Sequence, residues 1–510
     1  MPRRFLALSI VLLLGVWLRV AGLDFGSPSA TARPDEEHVL KESLRAVDGD
    51  WVARFHAYPS GLPRLQAVTF LVLQRAGLLP TDGSARKAWE RDPMPWHLAA
   101  RALSAVAGIL TILVVGLAGR RAGGAVAGVA AAAFWALAPM AVLHGHFATV
   151  DGPGTLAVAL VLALVAAPRP SRRAIMTAAL FAGVACGIKY TMAVSLMLPL
   201  IALIGRPHAW RWGLAGTMAF LVGAVMTSPP IISDGSAVWA ALSAEAGGQA
   251  TRRGATGLVA AAQHLLVGGL LAGCTLPLLA LGSAGLARRW LAPLFVIFGL
   301  HAAVGVPFVR YLLPALPLLA VAAGITLSRI LSRTPAGLDV LFLVVVFALP
   351  LWRDLEIRAS LSRRDTRGEL VQAFRDGRLP EGLPIFAPVW PFEAWPPGDA
   401  RLVRYTPEHG VADLVDLVQG EGVLIVLAET DAIFSGPASL AWVSGTRARI
   451  DAMVRTGTLT RDIVLVLDPR LGEPADYEAH DFFFTPLGRP LAQERPGPRI
   501  EVWRLGPPSR

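Results

Sequence analysis

The segment Phe5–Leu23 reads FLALSIVLLLGVWLRVAGL, and the stretch Arg33-Pro34-Asp35-Glu36-Glu37-His38 follows it closely. The apolar run is long enough to cross a bilayer as a helix. Arg3 and Arg4 precede it and no small-x-small cleavage site follows cleanly, which indicates an uncleaved membrane helix with its N-terminus inside. The acidic stretch is then expected on the outer side, where charges near a membrane are costly and point to function.

The acidic stretch has two interpretations. Asp35 and Glu36 form a carboxylate pair that can act as general base, electrostatic clamp or metal ligand. Alternatively, the stretch is a solvated loop in which Asp35 serves as the N-cap of a helix. The motif alone does not decide between them, so the rest of the chain has to.

The composition is that of a membrane protein. Of the 510 residues, 54% are hydrophobic and 16% are charged, and the mean hydropathy is +0.53, whereas soluble proteins carry about 25% charged residues. The net charge of +10 comes from short arginine clusters between apolar segments, without a basic, aromatic-interleaved face for nucleic acid. Cys186 and Cys274 lie in apolar segments and are expected to pack rather than to form a disulfide or a metal site. The Ala-, Gly- and Arg-rich composition is typical of a bacterium of high genomic GC content.

Further apolar segments predict more spans. The run Ala174–Gly205 is too long for one span and contains Lys189, so it predicts two short helices with a turn near Gly187–Tyr190. Leu62–Leu79 could span or lie at the interface, because it contains Arg64, Gln66, Gln74 and Arg75. Single spans are predicted at Leu98–Ala118, Gly123–Leu143, Val150–Ala167, Arg211–Pro229, Leu258–Gly282, Trp290–Val306, Tyr311–Ile330 and Gly337–Trp352.

The positions of the basic clusters decide the ambiguous segments. If Leu62–Leu79 does not cross and Ala174–Gly205 crosses twice, every cluster falls on the inner side together with Arg3 and Arg4. The predicted fold is therefore a polytopic α-helical membrane protein of about eleven spans, N-terminus inside and C-terminus outside. The loops that carry Asp35, residues 144–151, Lys189, residues 233–257 and Arg310 then share the outer face.

The composition changes at about residue 353. We predict a transmembrane domain over residues 1–352, with a first outer loop at 24–97, and an extracytoplasmic α/β domain over 353–510. Short strands are predicted at Ile385–Val389, Gly422–Leu427, Asp462–Leu467 and Arg499–Leu505, and helices at Asp365–Arg375, Gly410–Gln419 and Thr446–Arg455. No glycine-rich phosphate fingerprint occurs in this part of the sequence.

An ordered series of phrases over roughly residues 1–370 resembles the C-type membrane glycosyltransferases of the protein mannosyltransferase and aminoarabinose transferase superfamily (GT-C, glycosyltransferase family 39-like). The phrases are Arg33-Pro-Asp-Glu-Glu-His38, Tyr58-Pro59, Arg101-Ala-Leu-Ser-Ala105, Ala138-Pro-Met-Ala-Val-Leu-His-Gly-His-Phe-Ala-Thr-Val-Asp151, Gly187-Ile-Lys-Tyr-Thr191, Arg310-Tyr-Leu-Leu-Pro-Ala-Leu-Pro317 and Asp365-Thr-Arg367.

The resemblance implies an enzyme of the bacterial inner membrane that moves a hexosyl or pentosyl group from a polyprenyl-phosphate sugar, with inversion, to a hydroxyl of a lipid, glycan or protein acceptor. It implies a bundle of about eleven to thirteen spans with a catalytic carboxylate in the first outer loop. Asp35 and Glu36 match the acidic pair of the family, with Asp35 as general base. The beta-trefoil insert of the eukaryotic protein mannosyltransferases is absent, which puts a protein acceptor in question.

The remaining candidate residues are expected to bind substrate, each with a structural alternative. Arg310 with Tyr311 suits a phosphate, the alternative for Arg310 being snorkelling. Lys189 needs a phosphate or a carboxylate as partner. Asp151 could instead cap a helix, and His146, Asp151 and Asp35 could hold a divalent metal ion, although no spacing is diagnostic. Arg101 is a further candidate from the matched phrases, and His56 and Tyr58 are candidates for a sugar or lipid entrance.

Two other functional classes remain open at this point. A transporter or flippase would also place charges among spans, but it favours broken helices near the midplane rather than acids in a long outer loop. A non-catalytic membrane scaffold with an external interaction domain would not need charges that converge from separate loops.

Overall fold

The computed structural model describes residues 2–27, 33–81, 83–253, 258–286, 288–303, 308–335, 337–388, 402–405, 418, 422–428, 437–468, 494–497 and 499–507. The chain divides into two compact units. Unit 1 comprises Met1–Leu23, His38–Arg86 and Trp96–Arg358, and unit 2 comprises Asp24–Glu37, Lys87–Pro95 and Ala359–Arg510. The sequence predicted a boundary at residue 353 and did not predict that two pieces of the first outer loop belong to unit 2.

Most of residues 2–361 are helical, and most of these helices lie in unit 1. In chain order the helices are α1 (Pro2–Val20), α2 (Pro34–Val47, which begins in unit 2), α3 (Gly61–Arg75), α4 (Ala85–Arg91), α5 (Met94–Ala136), α6 (Pro139–His144), α7 (Asp151–Val165), α8 (Arg172–Ile188), the 3₁₀ helix η1 (Tyr190–Leu196), α9 (Met197–Ile201), α10 (Ala209–Thr227), α11 (Pro230–Ser233), α12 (Gly235–Arg253), α13 (Leu258–His264), a π-helical turn (Leu265–Leu271), α14 (Ala272–Gly285), α15 (Arg288–Ala302), the 3₁₀ helix η2 (Val309–Ala315), α16 (Leu316–Leu331) and α17 (Leu338–Leu361).

Several of these helices suit a membrane. Within the described ranges, four helical stretches are long and apolar enough to cross one: Met94–Ala136, Ala209–Thr227, Leu258–Gly285 and Val309–Leu331. Shorter apolar helices cover Phe5–Val20, Asp151–Val165, Tyr190–Ile201 and Trp290–Ala302. The polytopic helical character agrees with the prediction, and the number of spans stays a prediction.

Two breaks divide apolar runs. Helix α5 covers the predicted span Leu98–Ala118 and the first part of Gly123–Leu143, and it is interrupted at Gly124, whose φ of 89° requires glycine. Helix α8 ends at Ile188, and Lys189 adopts an extended backbone (φ −148°, ψ 120°) before η1 begins. This break lies at the turn predicted near Gly187–Tyr190. Helix α3 has 15 residues, about 22 Å at 1.5 Å per residue, which favours the interfacial interpretation of Leu62–Leu79.

Helices α8 and α10 approach each other closely because glycine lies at their contact. A Cβ atom at Gly183 would overlap the backbone of Phe220, and one at Gly223 would overlap the backbone of Leu180. Small residues of this kind let helices pack without a hydrophobic driving force, as in a lipid environment. The contact fixes the end of α8, and with it the position of Lys189.

Unit 2 contains a mixed five-stranded sheet. Its further elements are α18 (Thr366–Arg375), β1 (Ile385–Pro388), β2 (Leu402–Tyr405), β3 (Val423–Ala428), α19 (Pro437–Arg455), β4 (Thr460–Leu467) and β5 (Ile500–Gly506). The strand order is β2-β1-β3-β5-β4, with β1 parallel to β2 and β3, and β5 antiparallel to β3 and β4. Strand β2 was not predicted, and the helix predicted at Gly410–Gln419 lies outside the described residues except for residue 418.

Strand β3 is apolar on both faces, as a central strand has to be. Leu424 and Val426 belong to one buried cluster, whereas Val423, Ile425 and Leu427 belong to another. This is why Gly422–Leu427 reads as a continuous apolar run rather than as an alternating one.

Candidate functional site

The acidic stretch forms the first turn of α2. Helix α2 begins at Pro34, so Asp35 is its second residue and does not precede the helix as an N-cap would. Asp35, Glu36 and Glu37 occupy the first turn, where the helix dipole favours negative charge. Asp35 therefore lies within the first turn of α2.

The two leading acids differ in accessibility. The Asp35 side chain is 24% exposed and its Oδ2 lies 3.8 Å from Nη2 of the buried Arg33, whereas Glu36 is 0% exposed. A general base must reach the proton that it accepts. Of the two, Asp35 has the accessible carboxylate.

A buried ionic cluster lies in unit 1, formed by Asp151, Lys189 and Arg310. The Lys189 Nζ atom donates to Asp151 Oδ1 at 2.6 Å, and Arg310 Nε lies 4.0 Å from Asp151 Oδ2. Thr149 Oγ1 lies 3.4 Å from the same Oδ2 atom. The three charged residues are 2%, 6% and 3% exposed. We call these three residues the ionic cluster.

Aromatic rings line the cations of the ionic cluster. Lys189 Nζ lies 4.6 Å from the ring centre of Tyr311, and the Arg310 guanidinium lies 4.2 Å from that of Phe308. His301 meets Tyr311 edge to face at 4.7 Å. Both cation distances are in the range of cation–π attraction. His301 and Phe308 were not singled out from the sequence, because an aromatic residue in an apolar run carries no local signal of its partner.

Each member of the ionic cluster sits at a break in regular helix. Asp151 opens α7, Lys189 separates α8 from η1, and Arg310 lies in η2, a 3₁₀ helix that contains Pro314. Such breaks are tolerated within apolar bundles where they are buried or line a cavity. The chain therefore brings three helix breaks together at one point.

Helix α2 reaches the neighbourhood of this cluster through Val39. Val39 packs in an apolar group with Val150 and Ile188, the residues that directly precede Asp151 and Lys189. Asp35 lies one helical turn before Val39 on α2.

His146 and Arg101 hold the end of the first membrane helix. The ring nitrogens of His146 lie 2.9 Å from Val142 O and 3.1 Å from Ala21 O, and Arg101 Nη1 donates to Leu23 O at 3.0 Å. Burial lowers the pKa of His146 to about 4, so its ring is neutral at pH 7 and donates to only one of the two carbonyls. These contacts hold Ala21 and Leu23, which follow the end of α1.

The described residues contain no group of three or more His, Cys, Asp or Glu side chains arranged for a metal ion. The ring nitrogens of His146 lie beside the carbonyls of Val142 and Ala21. A divalent metal ion stays an untested alternative.

The two candidate entrance residues have different partners. His56 Nε2 is 3.5 Å from Asp234 Oδ2, an ion pair when the imidazole is protonated. Tyr58 packs with Leu62 and Val150 and meets Phe55 edge to face at 5.8 Å. Tyr58 is thus partly a packing residue, and His56 is held by an acid.

Arg19 has a role that the sequence did not reveal. It is fully buried in α1 and donates to Gly15 O, Ala136 O and Trp135 O at 3.2, 3.0 and 3.1 Å. It therefore ties α1 to the end of α5. Its position inside an apolar run was the only available signal.

Unit 2 holds a polar cavity of about 370 Å³. The carboxylate of Asp365 caps α18 by accepting from the backbone N–H of Arg367. It also accepts from the guanidinium of Arg367, from Nε at 2.8 Å and from Nη2 at 2.6 Å. Gly368 lies so close to Ser27 that a Cβ atom on Gly368 would be 2.8 Å from the carbonyl oxygen of Ser27. This explains the Asp365-Thr-Arg367 phrase as a helix start with a fixed guanidinium. The cavity is lined by Asp24, Phe25, Gly26, Ser27, Leu361, Ser362, Arg363, Arg364, Gly368 and Gln372.

Comparison with known proteins agrees with this architecture. Residues 96–232 match the family model of dolichyl-phosphate-mannose-protein mannosyltransferase. ArnT from Cupriavidus metallidurans has a similar structure, both in the apo state and bound to undecaprenyl phosphate, with a TM-score of 0.53, 16% sequence identity and coverage of 98% of this chain and 97% of that chain. The resemblance predicted from the sequence is confirmed. The chain has the GT-C type of fold.

A second solved structure supports the same fold. The Archaeoglobus fulgidus oligosaccharyltransferase in the apo form has a TM-score of 0.50 and 10% identity, and the match covers 98% of this chain and 88% of that chain. A search of curated proteins gives no significant match. At these identities the structural comparisons establish the fold alone.

Proposed function

We propose that the protein is a membrane glycosyltransferase that moves a sugar from a polyprenyl-phosphate donor to an acceptor hydroxyl on the outer face of a bacterial inner membrane. The observation that carries the proposal is the ionic cluster. Lys189 and Arg310 together face one carboxylate, Asp151, in a buried setting at helix breaks.

The ionic cluster suits the phosphate of the donor. The formal charges of Asp151, Lys189 and Arg310 sum to +1, which attracts an anion. An ammonium has three N–H donors, of which Lys189 uses one for Asp151 Oδ1. A guanidinium offers a planar fork that matches two phosphate oxygens. Low solvent access strengthens such contacts and stabilises charge that develops on a leaving phosphate. Undecaprenyl phosphate, which ArnT binds in a structure of similar fold, is the donor type that we propose.

Asp35 is the proposed general base, and Glu36 is its buried neighbour. In the proposed step, Asp35 accepts the proton of the acceptor hydroxyl. At the same time, the oxygen of that hydroxyl forms a bond to the anomeric carbon. The bond between that carbon and the phosphate oxygen breaks, and polyprenyl phosphate leaves with the electron pair. Direct displacement of this kind inverts the anomeric centre. The accessible carboxylate of Asp35 supports this assignment, as does the packing of Val39, one turn later on α2, beside Val150 and Ile188.

We further propose that the donor carries a hexosyl or pentosyl group and that the acceptor is a lipid, a glycan or a protein. The proposed topology has eleven spans, with the C-terminal residues on the extracytoplasmic side. Arg101 and His146 are proposed to bind substrate, and His56 and Tyr58 to border the entrance for sugar or lipid.

Transfer of label from a radioactive sugar on undecaprenyl phosphate, by the purified protein, tests the proposal. Membrane extract supplies the acceptor, and the Asp35→Asn protein is the matched control. We expect labelled product and free undecaprenyl phosphate from the unaltered protein and far less from the control. Movement of intact donor across a vesicle membrane, without cleavage of the sugar–phosphate bond, would identify a flippase instead. Donor binding without either activity would favour a scaffold.

A further inference from the structure

A basic cavity lies on the opposite side from Lys189, where the chain is predicted to face the cytoplasm. Its volume is about 520 Å³. It is formed where the segment before α8 meets the turn after α9, and Gly205, with a φ of 74°, allows that turn. The lining residues are Pro168, Arg169, Pro170, Arg172, Ile201, Ala202, Ile204, Arg206 and Pro207.

The cavity carries an unusual concentration of positive charge. Arg169, Arg172 and Arg206 line it, and residues 152–233 contain neither Asp nor Glu. Within the part of the chain that the structure describes, no ion pair involves any of these three arginines. Arg172 lies 4.9 Å from the ring centre of Trp212, a contact that orients the guanidinium and leaves its charge in place.

An exposed apolar stripe on α10 begins beside the cavity. Its members recur every four residues along α10, so neighbouring members contact one another and the stripe winds slowly around the helix. Ile204, which lines the cavity, is itself 77% exposed. The stripe consists of Trp210, Leu214, Met218, Val222 and Met226, which are 66%, 61%, 60%, 49% and 75% exposed.

We propose that the cavity binds the phosphate of an anionic phospholipid of the inner leaflet, with an acyl chain along the stripe on α10. Charge complementarity selects the headgroup, because basic pockets between helices on the cytoplasmic side bind anionic lipid headgroups. The stripe selects a lipid over a free phosphate ion, since only a lipid covers apolar surface. Positive-inside anchoring needs arginines on this side, but it needs neither a cavity nor an adjoining stripe.

Binding of phosphatidylglycerol and phosphatidylcholine to the purified full-length protein, measured by native mass spectrometry, tests this site. Each arginine near an anionic lipid contributes about 1 kcal/mol. Arg169→Gln with Arg206→Gln should therefore weaken phosphatidylglycerol binding by roughly 30-fold and barely change phosphatidylcholine binding. Arg169→Lys with Arg206→Lys keeps the charge and should retain more of the binding than the glutamine variant.

The matched control removes two exposed arginines from another basic cluster on the same predicted side, Arg329→Gln with Arg333→Gln. This control should change phosphatidylglycerol binding by less than about threefold, because a single specific site does not involve those residues. Equal loss in control and test variants, or no loss in the test variant, would overturn the proposal. Displacement of phosphatidylglycerol by millimolar inorganic phosphate would assign the cavity to a free anion rather than to a lipid.

Discussion

Replacing Asp151 by asparagine keeps the shape of the side chain and removes its charge from the ionic cluster. Lys189 Nζ, at 2.6 Å, would still meet an amide oxygen, but no carboxylate would offset Lys189 and Arg310 in this group. Replacing Lys189 by methionine is the milder change, since Asp151 keeps Arg310 at 4.0 Å.

The magnitude follows from burial. Asp151 and Lys189 are 2% and 6% exposed, so the loss of stability should be that of a buried ion pair and not that of a surface ion pair. Removing one partner of a buried pair costs roughly 3–5 kcal/mol. We take the lower end, about 3 kcal/mol, for Asp151→Asn, because the amide oxygen of asparagine can still accept a hydrogen bond from Lys189. Lys189→Met should cost less in stability. It should, however, weaken binding of undecaprenyl phosphate by about 10- to 150-fold, the equivalent of the roughly 1.5–3 kcal/mol of a charged hydrogen bond.

The assay is the melting temperature of the purified protein in detergent, with and without undecaprenyl phosphate, together with direct binding of labelled undecaprenyl phosphate. The phosphate should stabilise the Asp151→Asn protein more than the unaltered one, because it supplies the missing negative charge. Glu356→Gln is the control, since Glu356 pairs with the partly exposed Arg353 at 2.8 Å. The side chains of Arg353 and Glu356 are 34% and 13% exposed, so removing this partly exposed pair should cost less stability than removing the buried pair of Asp151 and Lys189.

Two results would refute this reasoning. If Asp151→Asn melts like the Glu356→Gln control, the carboxylate does not hold the buried cations. If Lys189→Met binds undecaprenyl phosphate as tightly as the unaltered protein, the ionic cluster is a structural group and the donor phosphate binds elsewhere.

Three further predictions concern catalysis, donor recognition and topology. Asp35→Asn should lower the rate of sugar transfer by roughly 10²–10⁴-fold with little change in donor affinity, whereas Glu37→Gln should be far milder; near-normal turnover of Asp35→Asn would move the base to another acid. Arg310→Ala should weaken donor binding and Arg310→Lys should restore only part of it, because a point charge replaces a bidentate fork; unchanged donor affinity in Arg310→Ala would favour snorkelling. A reporter fused after Arg173 should be cytoplasmic and one fused after Asp365 should lie outside, and a cytoplasmic second reporter would contradict the topology.

Local features of the chain were predictable because they depend on neighbours in sequence. Apolar run length indicates membrane helices without reference to any other segment. The charge in the run Ala174–Gly205 predicted a break near Lys189, where α8 ends. The start of α18 was predictable in the same way, since Asp365 caps a helix that begins at Thr366. The resemblance to a glycosyltransferase superfamily likewise rested on short phrases read in order.

The tertiary structure alone decided which side chains meet. Lys189 needed an anion, but the sequence could not choose between a phosphate and a carboxylate, and the structure provides Asp151 at 2.6 Å. Arg101 and His146 were expected at the substrate, and only the structure shows their contacts with the carbonyls of Leu23 and Ala21. Strand β2 was not predicted, because it is stabilised by its pairing with β1 and its own sequence pattern does not indicate a strand. The sequence of an apolar helix does not indicate which other helix it packs against, since lipid and protein neighbours are almost equally apolar. The pairing of buried charges therefore depends on where glycine contacts, helix breaks and long-range packing place the backbone.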